Sequence, residues 1–556
     1  MIELADLDLS SIADDRLREG LLRLLNLVEE LSTTVRHQAE EIQRLRDENN
    51  RLKGEHGKPD ILPNTPPAKK DHSSEQERRQ PKQHHRRSKQ GTIPIDRDEL
   101  CEIDPATLPP DATFQGYREV VVQDLVLRTD NVRFRQEVYH AASTDQTYVA
   151  PLPAGYAGEF GPGIKALIIV WYFACQMSEP KIRELCGHAG VAISDGQVSN
   201  LLIKKHQQFH AESDAVYAAG LRSSPWQQID DTATRVNGHN QHCHLICNPL
   251  YTAYRTTEAK DRLSVIDVLR NGRPRIFVLN TEALSYLERV GLSNVMRVRL
   301  THLPRDQVLD AAQLQALLDE HLPSLGPQQR TWIVEATMVA AYHAEVGWPV
   351  VRLLVCDDAP QFKWIADEVA LCWVHDGRHY KKLSPVLEPH RAALDTFLKD
   401  YWAFYHQLLA YRCAPSADER ARLERAFETL FATTTGYWAL DDRIAKTRAK
   451  QAELLQALDH PEIPLHNNDA ELGARMRVRK RDVSFGPRTR EGAKAWDTFM
   501  TLAATTKKLG VSFYTYVQER ISGEHSIPPL ADLIRARAAD LHLGESWDTT
   551  DYAACP

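Results

Sequence analysis

The sequence predicts a multidomain α+β protein in which an α/β core is interrupted by helical sequence and preceded by a long N-terminal coil. Three observations carry that prediction. The stretch "VVRLLVCDDAPQF" (350–362) is a β-branched run ending on paired acids, Asp357 and Asp358. A second run, "SPWQQIDDTATRVNG", ends the same way at Asp230 and Asp231. The N-terminus repeats apolar residues every seven positions.

At 556 residues, 42% apolar and 26% charged, the chain can bury several cores. No run of uninterrupted apolar residues is long enough for a membrane span, and the acidic N-terminus "MIELADLDLSSIADDR" is unlike a signal peptide. A soluble cytoplasmic, nucleoid-associated protein is expected, with no membrane partner. Nine cysteines without paired spacing fit a reducing compartment. The net charge of −8 by itself argues weakly against nucleic acid, but a local basic stripe is enough to hold phosphates.

Residues 1–54 read as a coiled coil. Leu17, Leu24, Leu31, Gln38, Leu45 and Leu52 fall seven apart, with Leu21, Val28, Val35, Ile42 and Asn49 offset by four. Polar Gln38 and Asn49 within the seam would fix register, which points to a homo-oligomer, a dimer above all. The plainer alternative is an amphipathic helix packed on its own domain. Residues 55–92 read as a basic flexible linker in which Lys69, Lys70, Arg78, Arg79, Lys82, Arg86, Arg87 and Lys89 either grip phosphates or are simply solvated.

Residues 93–160 alternate apolar and polar ("REVVVQDLVL", "VRFRQEVYHA") and predict a small β-rich module, with Cys101 its only cysteine. Residues 161–222 read as a helical region, with three helices over "GIKALIIVWYFACQMSEPKIRELCGHAGVAISDGQVSNLLIKKHQQF" (163–209). Ser194 and Gln197 have helix-start spacing, and a helix-turn-helix would carry Gln197, Ser199, Asn200, Lys204 and Lys205 on its second helix, facing DNA. Any three-helix packing unit would have the same pattern.

The acid-tipped strands are the centre of the prediction. After Asp230 and Asp231, "HCHLICNPLYTAYRTT" fits a meander turning at Asn248-Pro249. Strand with acid, meander, helix and a further strand with acid is the order of an RNase-H-like core, expected over 223–375 and 461–500 with a helical insertion at 376–460. "LHNNDAELGARMRVRKRDVSFG" opens a helix capped by Asn467 or Asn468 and carrying Glu471. Asp230, Asp357 and Glu471 can converge on two divalent cations, Mg²⁺ or Mn²⁺, as catalytic and metal-binding residues for in-line displacement at a phosphodiester. Arg475, Arg477, Arg479, Lys480 and Arg481 crowd the same helix and are expected to bind DNA phosphates. Asp231 and Asp358 read as caps or solvated neighbours. His242, Cys243, His244 and Cys247 alternate across a strand, which does not favour a shared metal.

Together "IDDT", "VCDDAPQF", "CWVHDGRHYKKL", "NNDAELGARMRVRKRDVSFG" and the tail "AATTKKLGVSFYTYVQERI" resemble the transposases of the insertion-sequence-66 family, a branch of the DDE transposases. The resemblance implies Asp230, Asp357 and Glu471 as the catalytic acids, with Asp231 in place of a glutamate and Asp358 in place of a glycine. It implies Cys372 and His375 as a Cys-x-x-His pair orienting the site. It further implies terminal inverted repeats and target DNA as partners, and accessory transposition proteins. The family's cysteine-paired zinc module has no cysteine pair here, and the stretch from Asp230 to Asp357 is longer than the family habit, with extra helical sequence at 276–349. The expected chemistry is cleavage at the element's ends followed by strand transfer. The alternatives are an RNase-H-fold nuclease without strand transfer and an inactive, domesticated DNA-binding dimer. Residues 501–556 predict a helical tail.

Overall fold

A computed structural model describes residues 14–52, 93–156 and 158–541. The basic linker, the last residues of the tail and the Leu52 side chain of the heptad seam lie outside the described residues.

Helix α1 (Asp15–Leu52) is continuous, as its heptads require. It uses two faces. Asn26 and Glu29 are buried against the body: Asn26 donates to Gly436 O at 2.8 Å and accepts from Trp438 N at 2.9 Å, while the Glu29 carboxylate accepts from Leu387 N at 2.9 Å. Leu17, Leu24, Leu31, Val35, Ile42 and Leu45 of the heptad pattern stay exposed.

The β-rich expectation for 93–160 is corrected. The described part has one hairpin, β1 (Val138–Ala141) with β2 (Gln146–Val149), and the alternating stretch before it is exposed and unpaired. Alternation gives a segment strand propensity, but a strand forms only where another backbone meets it.

The three helices expected are α2 (Pro162–Phe173), α3 (Glu179–His188) and α4 (Asp195–Ile203), and a fourth, α5 (Gln207–Arg222), follows them. Ser194 caps α4 by accepting from Gln197 N. The chain breaks between α4 and α5 at Lys205, which has a left-handed backbone with φ of +63°.

The central sheet begins with β3 (Trp226–Val236), β4 (His239–Asn248) and β5 (Tyr251–Thr257), an antiparallel meander. Next come α6 (Arg262–Leu269), β6 (Phe277–Val278), α7 (Thr281–Arg289), α8 (Asn294–Thr301), β7 (Val308–Leu309), α9 (Ala311–His321) and α10 (Pro327–His343). They account for the extra sequence at 276–349. The chain then returns to the sheet as β8 (Leu353–Cys356) and β9 (Glu368–Leu371), both parallel to β3, giving the order β5-β4-β3-β8-β9. The β8 strand is buried throughout, as its unbroken apolar run requires.

Helix α11 (Trp373–Lys381) leads into α12 (Glu388–Cys413), α13 (Ala417–Phe431), α14 (Trp438–Arg448) and α15 (Gln451–Leu454). This helical unit docks through Trp373, fully buried among Tyr401, Phe404, Phe427 and Phe431, with its indole N–H donating to Leu454 O at 2.8 Å. The chain closes with α16 (Asn468–Ser484), α17 (Arg490–Lys508), α18 (Phe513–Ser522) and α19 (Leu530–Asp540). Helix α17 covers the β5 edge, where Asp497 accepts from Thr256 N at 2.7 Å and Thr501 from Tyr254 N at 3.0 Å, so that edge has no free row of donors. The protein is thus a mixed α/β chain with one five-stranded mixed sheet. Among the described residues no helix is long and apolar enough to cross a membrane.

Candidate active site

Two strands supply the aspartates. β3 and β8 are parallel with Gln228 opposite Val355, and continuing that register by two residues sets Asp230 beside Asp357. The third acid comes from α16, which lies along β3. Its start is fixed there: the buried Asn467 donates to Ile229 O at 2.6 Å, and Gln228 donates to His466 O at 2.8 Å. One turn later Glu471 faces the sheet and is buried.

The acids do not share one environment. Burial pushes the Asp230 carboxyl up to about 7, helped by the charges of Asp357 and Glu471 and opposed by the Asp231 N–H, which donates to it at 2.8 Å. Asp357 is also raised, again by burial first, although His375 and the Ala359 N–H, at 3.1 Å, pull the other way. Burial acts upward on Glu471 too, but His375 and the Arg378 guanidinium outweigh it and hold that carboxyl at about 2. Arg378 Nη2 donates to Glu471 Oε2 at 2.6 Å. His375 Nδ1 approaches Oε1 at 3.4 Å without hydrogen-bond geometry, and this buried oxygen has no hydrogen-bond partner.

His375 stands between the acids, with Nε2 4.0 Å from Asp357. Contact with Cys372 and then Glu471 raises it to about 10. Cys372 is a buried hub: its sulfur accepts from His375 N at 3.4 Å and Asn467 N at 3.3 Å, tying the start of α11 to the start of α16. Among the described residues, the three donors that come within 4.8 Å of one another are those of Cys372, His375 and Glu471. The outer acids are neutralised locally. Asp231 accepts from Gln361 at 2.7 Å and lies 3.8 Å from Lys260, while Asp358 pairs with Lys450 at 2.5 Å and Lys363 at 3.2 Å.

The carboxylates of Asp230, Asp357 and Glu471 are oxygen donors of the kind a hard divalent cation takes, but the three are not drawn within 4.8 Å of one another. Carboxylates that burial and neighbouring acids raise gain from a cation between them, and Glu471 Oε1, beside His375 but without a hydrogen bond, can accept one more contact. Reasoning from sequence missed Arg378, Gln361 and Lys450. Arg378 had a signal, because it lies three residues after His375 on one helix and shares its face. Gln361 and Lys450 are brought in by tertiary packing alone.

Two of the expected DNA contacts are corrected. Arg477 is 0% exposed: it pairs with Asp497 at 3.2 Å, donates to Thr256 Oγ1 at 2.9 Å and lies over the Trp496 ring. Lys480 is equally buried, over the Tyr172 ring and donating to Met177 O at 3.2 Å. Neither reaches solvent, because the helical period turns both toward the core. Arg475 and Arg479 are exposed without an ion pair among the described residues, and the half-buried Arg481 donates to Ala233 O. Gln197 and Asn200 sit half-buried on α4, whereas Lys204 and Lys205 are exposed but lie beyond its end, which corrects their place on a recognition helix. His244 is committed to Thr257, and the Cys247 thiol to Gln228.

A family model described as "Transposase IS66 family" matches residues 347–495, a span that begins just before β8 and takes in Asp357, Cys372, His375, Arg378 and Glu471 but not Asp230. An uncharacterized protein, y4jO, of Sinorhizobium fredii (strain NBRC 101917 / NGR234) is similar at 34% identity over 325 residues, 58% of this chain and 99% of that protein.

Proposed function

The chain belongs to the IS66 family of transposases, and on that premise we propose that it cuts DNA at the ends of an insertion sequence and joins them to target DNA. One observation carries the reading: the parallel register of β3 and β8, continued by two residues, sets Asp230 beside Asp357 just past the end of β8, and the charge of Glu471 on α16 is felt by Asp230. The strand order β5-β4-β3-β8-β9, a meander followed by parallel strands, supports an RNase-H-like core.

Asp230, Asp357 and Glu471 would hold Mg²⁺ or Mn²⁺, which when bound neutralises the attacking and departing oxygens of a phosphodiester. The chain's own part is positioning. Arg378 fixes one oxygen of Glu471 while the other lies 3.4 Å from His375, and Cys372 locks α11 to α16 so that His375 stays between Asp357 and Glu471. Exposed Arg475 and Arg479 continue the same helix as phosphate contacts. The exposed heptad leucines of α1 support pairing with a second copy as a coiled coil, and sedimentation of the full chain as a monomer would remove that arm of the reading.

Asp230→Asn, Asp357→Asn and Glu471→Gln should each abolish Mg²⁺-dependent cleavage of element-end DNA while binding persists. Near-normal cleavage by any one of them removes that residue from the reaction. Cleavage without joined products would favour the nuclease alternative.

A further inference from the structure

Among the described residues the aromatic ring most open to solvent is Phe485, 87% exposed. It stands where a phenylalanine is costly, closing α16 with a left-handed backbone, φ 59° and ψ 10°. That conformation is ordinarily left to glycine or asparagine. Neither burial nor a ring contact offsets the cost here.

The backbone beneath the ring is held firmly. Phe485 N donates to Arg481 O at 2.7 Å. Gly486 follows at φ +88°, and a Cβ there would lie 2.5 Å from Arg235 O, so only glycine lets the chain pass so close to β3. Asn237 N, at the β3–β4 turn, donates to Pro487 O at 2.9 Å. The ring is therefore mounted on a fixed support and aimed at solvent. Exposed Arg235, Arg479 and Arg488 surround this end of the helix in sequence and register.

We propose that Phe485 stacks on an unpaired base of bound DNA while Arg479 and Arg488 hold the flanking phosphates. A lone aromatic ring among arginines suits a nucleobase and its backbone. A protein-docking patch would instead need contiguous apolar surface. The inference rests on the transposase reading and adds a function to it: the ring keeps one base out of the duplex at a set spacing from the acids. Along α16 that spacing is roughly 21 Å at 1.5 Å per residue, about six nucleotides at 3.4 Å each.

The test uses the full chain and three DNAs of one arbitrary sequence, each carrying 2-aminopurine: a short duplex, the same duplex with a two-base mismatch, and the single strand. Phe485→Ala should bind the mismatched duplex and single strand roughly 5- to 150-fold more weakly, bind the intact duplex as wild type does, and lose 2-aminopurine quenching. Phe485→Trp should restore all three, and Arg479→Ala should weaken binding to every DNA alike. An unchanged melting temperature shows that the variants fold. Equal affinities of wild type and Phe485→Ala, or an equal loss on all three DNAs, would overturn the inference and leave the transposase reading standing. Failure of the wild-type chain to bind any of them would overturn both.

Discussion

The second half of α16 carries positive charge on two faces that meet opposite fates. Arg477 and Lys480 point inward and are sealed beneath Trp496 and Tyr172, whereas Arg475 and Arg479 point outward with no carboxylate partner among the described residues. A cluster of cations in sequence is thus two populations once the 3.6-residue period is applied. Arg477 is paired in the core, Lys480 is buried at a cost, and the exposed pair is free for phosphate. Counting charges along a helix therefore overstates a nucleic-acid surface, here by the two members that face the core.

The largest effect that could break this comparison is at Arg477. Alanine there should destabilise the fold by about 3–5 kcal/mol, because it empties the fully buried site beneath Trp496 and leaves the half-buried Asp497 without its cation. Chemical denaturation would measure it, and a loss below about 1 kcal/mol would mean that the guanidinium is solvated after all. Arg475→Ala and Arg479→Ala should leave stability untouched. Each should instead lower the slope of log affinity against log salt by about 0.9 on any DNA sequence. Unchanged slopes would return both arginines to an ordinary solvated face.

Lys480 gives the smallest and most diagnostic effect. Burial pulls its amine down to about 7, so between about 7 and its ordinary value the unfolded chain binds a proton that the folded chain does not. Stability therefore rises with pH through that window, and the burden is fullest at and below pH 7. Lys480→Met should stabilise the protein by roughly 1 kcal/mol near neutrality, with the gain fading as pH climbs toward 10.5 and no change in salt slope. A pH-independent difference in melting temperature would contradict the buried-amine account.

Much of the site could be read from the chain because its signals are local. A greasy run ending in acids marks β8, whereas β3 runs on past Asp230 and Asp231 to Val236, so the acids expected at its end lie mid-strand; the Asn-Asn-x-x-Glu pattern places Glu471 one turn into α16. What could not be read depends on contacts distant in sequence. Lys450 reaches Asp358 across 92 positions that take in β9 and most of the helical insertion, and nothing near either residue announces the other. The unpaired stretch before β1 failed for the converse reason: alternation is local, but a sheet requires a partner. Likewise the end of α4 turns on a left-handed Lys205, a conformation that lysine does not signal.

The central claim is that Asp230 and Asp357 form a cation site, and Mg²⁺-dependent thermal stability tests it without knowledge of the element's ends. A cation that binds the folded chain alone raises the melting temperature by mass action. Wild type and Asp231→Asn, whose carboxylate is held by Gln361 and Lys260 instead, should both gain stability as Mg²⁺ is added. Asp230→Asn and Asp357→Asn should not. The same Mg²⁺-dependent rise in all four proteins would contradict the account.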